Sequence, residues 1–138
     1  NPKDATYGKA QKIVNMTFKY LYCYDDADKY YDRFVPCHMA LDSYILSWFF
    51  DWYSKEYNKG KKRNEKITKS GKNSLPKWSH LKYEKDKTDI VPQYKEIQDA
   101  IRQYLKKVNN DVPSGTPPIE AEFVVWYNER NKKNNDII

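Results

Sequence analysis

Glycine is scarce, 4 residues in 138, which leaves little material for a glycine-rich phosphate loop or for the dense turns of an all-β domain. Cys23 and Cys37 are the only cysteines. That is too few for a disulfide scaffold, and NPKDATYGKAQK lacks the charged-then-apolar pattern of a secretory signal, so a reduced, cytoplasmic setting is expected. His38 and His80 would complete a conceivable zinc set. No C-x2-C pair occurs, however, and adjacent Cys37 and His38 are poorly placed to share one tetrahedral ion, so neither metal nor cofactor is expected. No apolar run approaches a bilayer-spanning length, and no membrane partner is expected. No stretch alternates well enough to be a strand, and no internal repeat occurs.

Aromatic residues are plentiful: 16% of the chain, 13 of them tyrosine, against an apolar fraction of only 39%. Each buried ring removes a large apolar area from water, so one core can be built from few residues. Residues 1–138 read as a single domain. YLYCYDDADKYYDRF and FFDWYSKEY read as core, with a base-stacking platform as the alternative.

Charge is unevenly placed. Between Lys59 and Lys77 eight bases face one acid, Glu65, giving +7 within a chain of net +6. The remainder is therefore near neutral. This segment, 59–77, reads as a long, flexible, solvated basic loop. Lys61, Lys62, Arg63, Lys66 and Lys69 within it are candidate contacts to RNA, DNA or an acidic protein surface, since clustered cations release counterions on binding.

Helical periodicity recurs in four stretches, predicting an all-α bundle of four to five helices. The first spans about 5–25, with Ala10, Ile13, Val14, Thr17 and Leu21 as its core face. The second starts between Pro36 and Asp42 and runs to about Tyr57, with Leu41, Tyr44, Ile45, Trp48, Phe49 and Trp52 as the hub of the core. The third, about 88–109, carries Ile90, Tyr94, Ile97, Ile101, Tyr104, Leu105 and Val108, with Pro92 in its first turn. Its solvated face holds Lys95, Gln98, Asp99, Arg102 and Lys106. The fourth starts from Thr116 as N-cap and Pro117–Pro118, packs through Phe123, Val124, Trp126 and Tyr127, and frays over 132–138. Short helical turns are expected in DDADKYYDR and LPKWSHLKYEKD.

Two constellations carry candidate chemistry. Gly8, Lys12, Asn15 and Lys19 form one stripe of the first helix, with Gln11 at its edge. The stripe is either the wet side of an amphipathic helix or a rigid contact for phosphate or carboxylate, through Lys12, Asn15 and Lys19. If it is buried, each amide must find a partner, because an unpaired buried polar group costs about 1–3 kcal/mol.

The second constellation is RFVPCHMALDS, residues 33–43. Arg33 and His38 stand at an R-x4-H spacing that resembles the motif of HEPN ribonucleases, an all-α and usually dimeric family. The resemblance covers six residues. It implies metal-independent RNA cleavage at a dimer cleft, with His38 as acid–base group and Arg33 on the phosphate. Pro36 falls between them and would break an interior helix. It suits a helix start instead, placing His38 and Asp42 one turn apart. Alternatively the helix begins later, with Asp42 or Ser43 as N-cap and His38 in the preceding loop. In either case Cys37, His38 and Asp42 are expected in the packing.

The leading functional expectation is a small non-catalytic binding domain for nucleic acid or an acidic protein surface. The alternatives are the ribonuclease, using Arg33 and His38 with Asp42, and a helical interaction or homo-oligomerisation module.

Overall fold

A computed structural model describes residues 4–136. Among these residues the regular structure is wholly helical: α1 Tyr7–Tyr22, α2 Tyr31–Phe34, α3 Ser43–Tyr57, α4 Tyr94–Lys106 and α5 Pro118–Asn135. Short 3-10 turns occupy Asp25–Tyr30, Arg63–Glu65 and Trp78–His80. No helix is long and apolar enough to cross a membrane.

The core gathers on α3, as its wide apolar surface predicts. Ile45, Leu46, Trp48 and Phe49 are buried against Ile97, Ile101 and Leu105 of α4 and Ala121 and Val125 of α5. Trp52 stacks on Tyr104 at 4.2 Å and 15°. Tyr104 in turn donates to Asp111 Oδ2 at 2.6 Å.

Of the two starts open for α3, the later one is found. Asp42 is the N-cap, its Oδ1 accepting the Ile45 N–H at 3.0 Å. Pro36 sits in the turn after α2, and residues 37–42 run on without regular structure. Met39, Ala40 and Leu41 are nevertheless buried among the most inaccessible residues of the molecule. A length of backbone outside any helix therefore crosses the core.

The third helix is shorter than its periodicity suggests. Gln93 caps it and its N–H donates to Glu96 Oε2 at 3.0 Å, so Pro92 precedes the first turn rather than occupying it. Lys107 is already extended, which leaves Val108 in solvent. Gln98 and Arg102 also leave the solvated face assigned to them: Gln98 is buried and Arg102 half-buried.

In α5 the packing positions differ from those expected. Ile119, Ala121, Glu122 and Val125 face inward, while Phe123, Val124 and Tyr127 are exposed. Pro117 is its N-cap and Pro118 its first residue; the Thr116 hydroxyl donates to the Pro113 carbonyl instead of capping. The helix continues to Asn135, through the first part of the expected frayed tail.

The basic segment, 59–77, holds one 3-10 turn and otherwise irregular backbone. It is pinned at its middle by Ile67, 2% exposed. Asn58 brackets that residue, accepting the Ile67 N–H at 2.8 Å and donating to its carbonyl at 2.9 Å.

Candidate functional site

Helix α1 is built inside out relative to its hydrophobic pattern. Its buried residues are Gly8, Gln11 and Asn15. Ile13 is 70% exposed and Val14 52%, and Phe18, Tyr20 and Leu21 are exposed with them. The expected core face is the outer face, and the stripe expected to be wet is the inner one.

The reason lies in the buried segment 37–42. Backbone N–H and C=O groups removed from water must be paired, and here no neighbouring strand pairs them. Polar side chains from three helices do so. Gln11 grips Leu41 on both sides, donating to its carbonyl at 2.8 Å and accepting its N–H at 3.1 Å. The Met39 carbonyl accepts from Gln98 at 2.7 Å and from Asn15 at 3.3 Å. The Ala40 N–H donates to Glu122 Oε1 at 2.5 Å. Arg102 donates to the carbonyls of Pro36 and Cys37. Turning the apolar side of α1 inward would strip Leu41 of the partners of its N–H and carbonyl and Met39 of one of its two donors.

The lysines of the stripe are committed to the same frame. Lys19 Nζ lies 2.6 Å from Glu122 Oε2, and both side chains are largely buried. Burial drives the Glu122 carboxyl above the ordinary carboxylate value, while Lys19 and the Ala40 N–H pull it back down. Lys12 pairs with Asp42 Oδ2 at 3.3 Å and lies over the Trp78 ring. Lys12, Asn15 and Lys19, expected as contacts for a partner, thus have partners within the chain. Gly8 completes the inner face: its N–H donates to the Leu81 carbonyl at 3.0 Å, and a Cβ there would overlap the Trp78 carbonyl oxygen.

Arg33, His38 and Asp42 engage three different sets of groups. Arg33 is exposed and its guanidinium lies over the Tyr30 ring at 5.0 Å. Asp42 caps α3 and holds Lys12. His38 is half-buried with Nδ1 at 2.7 Å from Tyr94 Oη, and that oxygen accepts from Asn15 at 3.1 Å. With its lone pair used by Asn15, the tyrosine hydroxyl is free to donate to His38, which suits a neutral imidazole. Burial, helped by the nearby Arg102 charge, lowers the His38 pKa; Asp99 opposes more weakly. His38 is therefore the end of a structural relay, Asn15 to Tyr94 to His38. Cys23 and Cys37 are free thiols, exposed and half-buried respectively.

In the basic segment, Lys62, Arg63 and Lys69 are exposed, Lys61 lies over the Tyr57 ring at 4.1 Å, and Lys66 is half-buried. A groove of about 760 Å³ opens between α3, residues 68–79 and the end of α5. Leu46, Phe50 and Trp78 line it with Lys69, Lys77 and Lys132. A second depression, of about 350 Å³, lies on the outer side of α1, where Phe18, Leu21 and Tyr24 meet Tyr30, Arg33 and Phe34.

The exposure of that outer face runs against the hydrophobic pattern of α1, which assigns it to the core. The signal that could have found it was present: Gln11 and Asn15 lie on one stripe of a helix whose other side is apolar. No family model matches the chain, nor does any curated protein or solved structure.

Proposed function

We propose that the chain is a non-catalytic helical binding domain whose working surface is the outward apolar face of α1, together with the aromatic groove it forms with residues 24–34, and that this face seats a protein partner. The observation that carries the reading is the inversion of α1. Ile13, Val14, Tyr20, Leu21 and Tyr24 stand in solvent on one side of a helix held by Gln11, Asn15 and Lys19 on the other. Contiguous exposed apolar surface of this kind is characteristic of sites that meet another protein.

Replacing Ile13 and Leu21 together by glutamate tests it. The free protein should keep its stability to within about 0.5 kcal/mol per site, as surface substitutions do, and should lose the ability to bind an apolar fluorescent dye. A loss of several kcal/mol, as for core residues, would show the face to be covered by the chain itself.

A second reading retains nucleic acid, or an acidic protein surface, as the target of Lys61, Lys62, Arg63, Lys66 and Lys69. The exposure of Lys62, Arg63 and Lys69 in a segment with a single acid supports it, whereas the adjoining groove sets Lys69, Lys77 and Lys132 beside Asp51, Glu129 and Asp136. Salt-sensitive retention of RNA or DNA, lost when the five bases become glutamine, supports this reading; no retention at low salt removes it. The ribonuclease reading draws no support from the geometry, because the His38 ring is tied to Tyr94 and Arg33 to Tyr30.

A further inference from the structure

We infer that the partner seated on this face is a second copy of the chain, its α1 lying antiparallel against the first about a two-fold axis near Thr17. The inference rests on the interaction-face reading given above and names its occupant.

Three observations converge on self-pairing. The first is spacing. Ala10, Val14, Thr17 and Leu21 recur at alternating intervals of four and three residues along α1, the repeat that keeps a seam facing a partner helix. Tyr24 follows with extended backbone just beyond the helix end. Ala10 and Tyr24, Ile13 and Leu21, and Val14 and Tyr20 are placed symmetrically about Thr17. An antiparallel copy sets the small Ala10 against the large Tyr24, and Ile13 against Leu21. A parallel copy would set Tyr24 against Tyr24 and Ala10 against Ala10, leaving a crowded end and an empty one.

The second is area. Ile13, Val14, Phe18, Tyr20, Leu21 and Tyr24 range from 43% to 70% exposed. At about 200 Å² for a large side chain they present on the order of 700 Å². Ordinary monomers show largest patches of about 300–600 Å², whereas each partner of a standard interface contributes about 800 Å². One α1 face with its flanking groove therefore meets what a specific dimer needs.

The third is charge. Lys9 is exposed at the N-terminal end of the face, and beyond its C-terminal end lie exposed Asp28 and Asp26, the latter beside Lys29 at 3.4 Å. Antiparallel pairing brings Lys9 of each copy to the acidic end of the other, where the groove of Tyr24, Tyr30 and Phe34 lies. In an isologous interface the match is made twice.

Sedimentation over a hundredfold range of protein concentration tests the inference. The wild type should pass from monomer to dimer. Thr17→Arg, which sets like charges against each other on the axis, and Val14→Glu with Leu21→Glu should each weaken the dimer at least tenfold with unchanged circular dichroism. Orientation is read by oxidising a mixture of Ala10→Cys and Tyr24→Cys chains in a Cys23→Ser, Cys37→Ser background. Disulfides linking position 10 to position 24 support the antiparallel pair, and only like-to-like links overturn it.

A wild type that stays monomeric throughout overturns the second-copy occupant. Thiol labelling of Ile13→Cys in that monomer then separates the two proposals. Labelling at the rate of a free thiol leaves the interaction face standing with a different partner; strong protection overturns the face as well.

Discussion

In α4, Ile97, Ile101 and Leu105 turn inward while Lys95, Asp99 and Lys106 meet water. In α1, Gln11 and Asn15 turn inward while Ile13 and Val14 meet water. Both helices carry an apolar stripe and a polar one, and they bury opposite halves. What differs is the neighbour. Most of α4 lies against the side chains of α3 and α5, which present apolar surface. The inner face of α1 lies against the backbone of 39–41, which presents N–H and carbonyl groups. An unpaired buried backbone group costs about 1–3 kcal/mol, and a large side chain gains its roughly 1.5–3 kcal/mol only where it is covered by apolar surface, which the backbone of 39–41 does not offer. α4 shows the same rule in miniature, since Gln98 and Arg102, its residues nearest that segment, also turn inward.

The polar frame around residues 39–41 is most sensitive at Glu122. Its loss orphans both the Ala40 N–H and the largely buried Lys19 ammonium, so Glu122→Ala should cost about 3–5 kcal/mol, measured by urea unfolding. Gly8→Ala forces a Cβ against the Trp78 carbonyl and should cost about 1–3 kcal/mol. An equal substitution on the outer face, Thr17→Ala, should be close to neutral.

A smaller effect sharpens the role of the relay. The His38 pKa is lowered in the fold, so below the ordinary histidine value of about 6.5 the unfolded chain binds the proton more readily. Stability from this group is present above that pH and is lost as the pH falls through the folded value. His38→Gln should flatten that part of the stability–pH curve. Wild-type and variant curves that run parallel between pH 7 and 5 would contradict a buried neutral histidine. Smallest of all should be Val14→Gln on the outer face, within about 0.5 kcal/mol in the monomer.

The all-α class and the central place of α3 were legible in the sequence because side-chain periodicity reports them directly. The start of α3 was legible as one of two alternatives, since Asp42 is a good cap and Pro36 a good first residue. The side on which α1 faces the core was not. Periodicity finds the two faces of a helix and assigns the apolar one inward, on the premise that the core offers apolar contact. Residues 37–42, with Met, Ala and Leu at their centre, look like the start of a helix whose backbone would satisfy itself. Only when that stretch is seen to lie outside any helix does the demand for Gln11, Asn15, Gln98 and Glu122 appear. The same demand explains why Phe123, Val124 and Tyr127 face out: Glu122, on the inward side of α5, must reach Ala40. Ile67 was hidden for a simpler reason, a single apolar anchor among lysines.

The inward orientation of the polar stripe of α1 is read out by a reciprocal pair of substitutions. Asn15→Leu and Ile13→Asn are compared by urea unfolding at a concentration low enough to hold the monomer. With the polar stripe inward, Asn15→Leu strips Met39 and Tyr94 of a donor and should lose about 1–3 kcal/mol, while Ile13→Asn stays within about 0.5 kcal/mol. The opposite ranking, with Asn15→Leu harmless and Ile13→Asn costly, would contradict it.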